Sequence, residues 1–143
     1  MNTANILLVD DEVAFVEAMV KRLTKRGYDV SFAHSGQDAL QILRDNKRIE
    51  VVVLDIRMPG LDGIETLQAI KKDFPRTEVI LLTGHATVET AVQGMKMGAR
   101  DYLLKPCDFD ELILKVNQAA DIKRSADAAK LDEKIKEISS KFG

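Results

Sequence analysis

The sequence predicts an α/β protein built on a five-stranded parallel sheet with helices on both faces. Short apolar runs alternate five times with stripes at helical spacing. The strongest run, Val51 to Leu54, has no polar alternation, as a strand covered on both faces requires. Strand–helix–strand units of this kind join parallel neighbours through right-handed crossovers. The 143 residues suffice for one domain with a short appendage. A chain of that size buries roughly 70% of its unfolded surface without disulfides or metals.

Each element follows from local pattern. Ile6 to Val9 is the first strand, and Val13, Val16, Met19/Val20 and Leu23 form the stripe of a helix that Gly27 stops. Tyr28 to Ala33 reads as a weaker second strand. Ser35 caps a helix carrying Ala39, Leu40, Ile42 and Leu43 and ending near Asn46. Ile49 to Leu54 is the third strand, and Met58-Pro59-Gly60-Leu61-Asp62-Gly63 reads as a loop. Ile64, Leu67 and Ile70 define a helix broken by Pro75, before a fourth strand at Val79 to Leu82. Thr87 caps a helix with Val88, Ala91, Val92 and Met95, closed by Gly98. Tyr102 to Leu104 is the fifth strand, and Asp108 with Glu111 opens the last helix.

Composition narrows function without naming it. With 45% hydrophobic and 31% charged residues the chain reads as soluble and globular. One cysteine, Cys107, excludes an internal disulfide framework and suits a reducing cytoplasm. No apolar run approaches the roughly 20 residues that span a bilayer, and the first residues lack a signal peptide's basic region. A net charge of −2 gives no global attraction to nucleic acid or anionic lipid. The expectation is no direct nucleic-acid contact and no membrane.

In parallel sheets, ligands bind beyond the carboxyl ends of the strands. There the first strand delivers Asp10-Asp11-Glu12, the third Asp55, the fourth Thr83 and the fifth Lys105. A phosphate-cradling turn would carry glycines, but neither GxGxxG nor GxxxxGK[ST] occurs. Two like charges about 4 Å apart cost on the order of 4 kcal/mol at an effective dielectric near 20. Three converging carboxylates therefore call for a cation or for raised pKa values. Oxygen ligands with room left for water and phosphate suit Mg²⁺. Its two charges and Lys105 would balance Asp10, Asp11 and Asp55. Such parts serve phosphoryl transfer, with Asp55 as the nucleophile and Thr83 donating to the arriving oxygens.

These residues resemble the receiver domain of two-component response regulators. The likeness rests on Asp10-Asp11 after Leu-Leu-Val, Asp55 after Val-Val-Val-Leu, Met58 to Gly63, Thr83 and Lys105-Pro106, and covers about residues 4 to 120. It implies a flavodoxin-like sheet of order 2-1-3-4-5 and a cis Lys105–Pro106 bond. It also implies phosphorylation of Asp55 by a phosphohistidine of a sensor histidine kinase or a phosphotransfer protein. Asp10, Asp11 and Asp55 would hold Mg²⁺ with the backbone carbonyl of Arg57. Thr83 and Lys105 would contact the phosphoryl group, and Tyr102 would be the aromatic switch. Phosphorylation would draw Thr83 inward and let Tyr102 rotate, repacking the face of the fourth helix, fifth strand and fifth helix, which is also a candidate homodimer face. In this family the positions of Arg57 and His85 border the phosphoryl group and tune its hydrolysis.

Blander readings stand beside these. Asp10-Asp11 alone is also an acidic pair favoured by a helix dipole; Lys105 alone is a solvated charge, and Tyr102 alone an ordinary strand aromatic. His34 and His85 read as surface or capping residues, Cys107 as inert, and Met58, Met95 and Met97 as packing residues. A turnover enzyme is not expected: a hydrolase with an aspartyl nucleophile would want a carboxylate two residues after it, where Arg57 stands. An interaction-only relative is disfavoured because no site position is lost. Residues 121–143 form an appendage to a receiver at 1–120. The apolar stripe of the last helix is interrupted at Lys123 and resumes as Ala128, Leu131, Ile135, Ile138 and Phe142. That is about two heptads, either a frayed surface helix or one that dimerises or docks on a partner. The chain is either a stand-alone receiver or the receiver portion of a multidomain DNA-binding regulator.

Overall fold

A computed structural model describes residues 3–57, 62–84 and 88–142. Met58 to Leu61 of the expected loop, the Thr87 cap and His85 lie outside the described residues. The elements are β1 (Asn5–Val9), α1 (Val13–Lys25), β2 (Asp29–Ala33), α2 (Gly36–Asp45), β3 (Val51–Leu54), α3 (Gly63–Asp73), β4 (Glu78–Thr83), α4 (Val88–Lys96), β5 (Asp101–Leu104) and α5 (Phe109–Phe142). The five strands are all parallel in the order β2-β1-β3-β4-β5. The order that the resemblance implies and the strand–helix alternation that the sequence predicts are both present.

Side-chain alternation along the strands divides the core in two. Ile6, Leu8, Val51, Val53, Ile80, Leu82 and Leu103 meet α1 and α5 through Val16, Leu23, Leu112 and Val116. Leu7, Val9, Val52, Leu54, Val79 and Leu81 meet α2 and α3 through Leu40, Leu43, Leu67 and Ile70. All four β3 residues are buried, which explains why their polar alternation is absent.

Local chemistry sets the ends of the elements. Gly27 and Gly98 end their helices at φ +90° and +105°, the left-handed region where glycine has no Cβ penalty. Ser35 Oγ accepts the Asp38 N–H at 3.2 Å, and Asp108 Oδ1 accepts the Asp110 N–H at 3.0 Å. Gly63 departs from the loop expectation, while Asp62 stays extended. Asp62 is the N-cap of α3, its carboxylate accepting the Glu65 N–H at 2.9 Å, and Gly63 is the first helical residue. β3 starts two residues later than expected, because Glu50 turns its carboxylate to the Asn5 N–H and to Arg124.

The last helix runs without a break for 34 residues, through Lys123 where its apolar stripe is interrupted. Its first three turns bury Phe109, Leu112, Ile113, Val116, Ala119 and Ala120. A polar girdle follows at the amino ends of the strands. Arg124 grips both Glu50 oxygens at 2.5 and 2.9 Å, and Arg76 meets Asp127 at 2.7 Å. Lys123 also pairs with Asp127. Beyond the girdle Leu131, Ile135, Ile138 and Phe142 are exposed.

Two glycines sit where a side chain would collide. A Cβ on Gly63 would meet the backbone of Asp55 and Ile56, including Ile56 O at 2.6 Å. On Gly94 it would meet only the Leu81 side chain, which can shift. Gly63→Ala is expected to lower stability by about 2 kcal/mol, and Gly94→Ala by clearly less. Urea unfolding midpoints of the two variants check the ranking.

Candidate functional site

The turn after β1 and the turn after β3 lie side by side because those strands are neighbours. Asp55 N–H donates to Val9 O at 2.9 Å, fixing the end of β3 against the end of β1. Asp10 N–H donates to Ala33 O at 3.1 Å, doing the same toward β2. Asp10, Asp11 and Asp55 thereby converge: one carboxylate oxygen from each lies within 4.8 Å of the others. Asp10 is 1% and Asp55 4% exposed, while Asp11 faces solvent.

The two buried carboxylates are each held by a backbone amide. Asp10 Oδ1 accepts the Glu12 N–H at 2.9 Å, and Asp55 Oδ1 accepts the Arg57 N–H at 3.1 Å. These turns aim the remaining oxygens at one another. β5 brings the counter-charge. Lys105 N–H donates to Thr83 O at 3.0 Å, and its ammonium lies 2.5 Å from Asp10 Oδ2 and 3.6 Å from Asp55 Oδ2. The Lys105–Pro106 bond is cis, as the resemblance implies.

One lysine does not neutralise three acids. Burial pushes the Asp10 carboxyl above its ordinary range; the Asp55 charge adds to this, while Lys105 and the Glu12 amide oppose it. For Lys105, burial alone would lower the pKa. The hydrogen bond from Asp10 and the charges of Asp10, Asp55 and Glu12 outweigh it and hold the ammonium above its ordinary value. An all-oxygen donor set with uncompensated negative charge fits a hard divalent cation.

Thr83 and Tyr102 occupy adjoining strands. β4 and β5 pair Leu81 with Tyr102 and Thr83 with Leu104, so Thr83 and Tyr102 fall on one face of the sheet, two residues apart in register. Thr83 is fully buried at the end of β4. Tyr102 packs against the Leu81 side of the core, and its hydroxyl is buried without a hydrogen-bond partner among the described residues. Arg57 is exposed.

Three contacts were not foreseen from sequence. Glu12 is the N-cap of α1 yet makes no cap hydrogen bond with its side chain; the carboxylate lies 3.4 Å from Lys105 Nζ instead. The Phe15 ring lies under the same ammonium, 4.1 Å from centroid to Nζ. His34, read as a surface or capping residue, is half-buried and donates from Nδ1 to Asp10 O at 2.9 Å. It stands at the carboxyl end of β2, beside the acidic turn, and that position was the available signal. Cys107 is half-buried, and burial with the Glu111 and Asp108 charges pushes its thiol up, which suits an inert residue.

The raised Asp10 carboxyl predicts a pH dependence. Without metal, its contribution to stability is fully present below the ordinary value of 3.8 and is lost as pH rises through the higher folded value. Metal-free Asp10→Asn is therefore expected to be more stable than the wild type at pH 7. The difference should vanish toward pH 3 in chelator-treated thermal melts.

The comparisons agree with this geometry. Residues 6–117 match the family model "Response regulator receiver domain". The chain is 40% identical over 124 residues to the transcriptional regulatory protein ZraR of Escherichia coli K12, covering 87% of this chain and 28% of ZraR. It is 38% identical to a putative NtrX-like response regulator of Rickettsia conorii, covering 85% and 26%. It thus spans about a quarter of the length of the curated relatives it matches. Among solved structures, a receiver domain protein of Clostridium thermocellum superposes with TM-score 0.82 at 37% identity, covering 87% of this chain and 99% of that one. The receiver domain of NtrX from Brucella abortus gives 0.76 at 36% identity, covering 82% and 98%. With its sheet order, its three clustered aspartates and the matched residues in agreement, the chain belongs to the response regulator receiver domain family of two-component signalling.

Proposed function

We propose that Asp55 accepts a phosphoryl group from a phosphohistidine of a sensor histidine kinase or a phosphotransfer protein. The observation that carries this is the meeting of Asp10, Asp11 and Asp55 within 4.8 Å beneath one lysine. An Asp55 oxygen attacks phosphorus as the P–N bond breaks, and the electron pair leaves with the imidazole nitrogen, which takes up a proton. Asp10, Asp11 and Asp55 would hold Mg²⁺, with the Arg57 carbonyl as a further ligand, and the ion would supply positive charge to offset that of the transferring group. Lys105, 3.6 Å from Asp55, stands within a small movement of a phosphoryl oxygen there. The Thr83 hydroxyl donates to a second oxygen, and Arg57 and His85 set how readily water reaches the phosphorus.

The switch uses Thr83 and Tyr102. Their shared face and a Tyr102 hydroxyl without a hydrogen-bond partner among the described residues support an inward Thr83 movement coupled to Tyr102 rotation. Burial pushes that phenol's pKa up, so it stays neutral. The α4–β5–α5 face, with Val92, Met95 and Leu104 exposed, is then repacked and offers a homodimer or partner surface. The chemistry is a single acceptance and release rather than turnover of a substrate pool, in the cytoplasm, where one unpaired cysteine is at home. No helix among the described residues is long and apolar enough to cross a membrane.

Two units of organisation complete the reading: a receiver over 1–120 and an extension over 121–143. Because the matched relatives are about three times as long as this chain, we read the receiver as one that drives a separate effector, such as a DNA-binding regulator, and does not itself touch nucleic acid. The exposed Leu131, Ile135, Ile138 and Phe142 support association of the extension with a second copy.

Intact mass after incubation with a small phosphodonor tests the first claim. A gain of one phosphoryl group is expected with Mg²⁺, and none in chelator or in Asp55→Asn. Continued release of phosphate from many equivalents of donor ester would instead indicate a hydrolase. The association is checked by light scattering: Ile135→Lys with Ile138→Lys is expected to lower the mass of the full chain from dimer to monomer.

A further inference from the structure

Lys105 has more neighbours than its expected role requires. Its ammonium has three protons. Around it stand Asp10 Oδ2 at 2.5 Å, Glu12 Oε1 at 3.4 Å, Asp55 Oδ2 at 3.6 Å and the Phe15 ring at 4.1 Å. Its nearest partner is Asp10, not the residue proposed to carry the phosphoryl group. Lysine is a point charge on a flexible four-carbon stem, and fixing it costs rotamer freedom. Asp10 and Asp55 both belong to the acidic cluster, so neither is a dedicated anchor for the ammonium. The side chains of Glu12 and Phe15 lie outside that cluster: the Glu12 carboxylate forgoes the cap of α1, and Phe15 sits one turn further along the same helix.

We propose that Phe15, assisted by Glu12, is a positioning residue for Lys105, holding the ammonium within reach of both Asp10 and Asp55. The inference rests on the reading of Asp55 as phosphoacceptor. A ring face attracts a cation without taking a proton from it or needing a hydrogen bond of fixed direction. The lysine can therefore turn between Asp10 and a group on Asp55 while remaining over the ring. The Glu12 carboxylate, largely exposed, gives a weaker and salt-sensitive share. A purely structural role for Phe15 is the competing account, since the ring also packs against the core beneath α1.

Phe15→Leu keeps apolar volume and removes the ring; Phe15→Tyr keeps the ring. The full chain with Mg²⁺ and a small phosphodonor is used, and capture is followed by intact mass over a range of donor concentrations. Phe15→Leu is expected to lower the saturating capture rate roughly fivefold with little change in half-saturating donor. Phe15→Tyr should restore the rate, and Glu12→Gln should cost less than Phe15→Leu. Lys105 ε-methylene protons should resonate upfield in the wild type and in Phe15→Tyr, and return to ordinary positions in Phe15→Leu. Wild-type capture with an unchanged rate or unchanged ε-methylene shifts in Phe15→Leu overturns the proposal. A slowed Phe15→Leu that Phe15→Tyr does not rescue, or whose loss tracks a lower urea midpoint, overturns it in favour of packing. Absence of phosphoryl gain on wild-type Asp55 would instead overturn the phosphoacceptor reading, and the ring-current shift would still report on Phe15 and Lys105.

Discussion

Like-charge repulsion at one end of the sheet is the constraint around which this molecule is arranged. β1 and β3 are neighbours, their last residues are tied by the Asp55–Val9 hydrogen bond, and both strands finish in aspartate. Two of the three acids are buried. Ionised carboxylates in that setting repel one another and lose hydration. The surroundings are built to bear this. Backbone amides of Glu12 and Arg57 hold one oxygen each, and Lys105 arrives from β5 on the far side of Thr83. What remains uncompensated is capacity for a cation and for a group that carries charge.

The fold serves that arrangement by rigidity. Strands packed on both faces leave the turn residues little freedom, and Gly63 shows how tightly one turn is seated. With no Cβ, α3 starts directly against the backbone of Asp55 and Ile56. The opposite end of the molecule has a different character. There Glu50, Arg76, Arg124 and Asp127 form ion pairs that fasten α5 across the amino ends of the strands. The acidic end is left charged and open, while the girdle is closely matched.

Most of the fold could be read from sequence because burial on both faces leaves a plain signature. Val51 to Leu54 has no polar residue to hide, and Gly27 and Gly98 mark helix ends by a conformation few other residues tolerate. The aspartates and Lys105 could be read because each follows a strand. Gly63 reads as loop, although it opens α3, because Pro59, Gly60 and its own glycine character outweigh the one capping carboxylate of Asp62 in a compositional reading. The contacts of Glu12 and Phe15 could not be foreseen. They depend on how the start of α1 lies against the residues after β5, which no local spacing encodes.

The unbroken α5 carries a consequence of its own. Each residue of an α-helix advances about 100° around the axis. The residues from Phe109 to Ala120 that face the sheet centre on one bearing, and Leu131, Ile135, Ile138 and Phe142 centre roughly 65° away from it. The protruding segment is therefore a compass needle whose apolar side is turned well off the bearing of the body that holds it. Whatever settles on that side approaches alongside the domain, on a heading fixed by the helix itself.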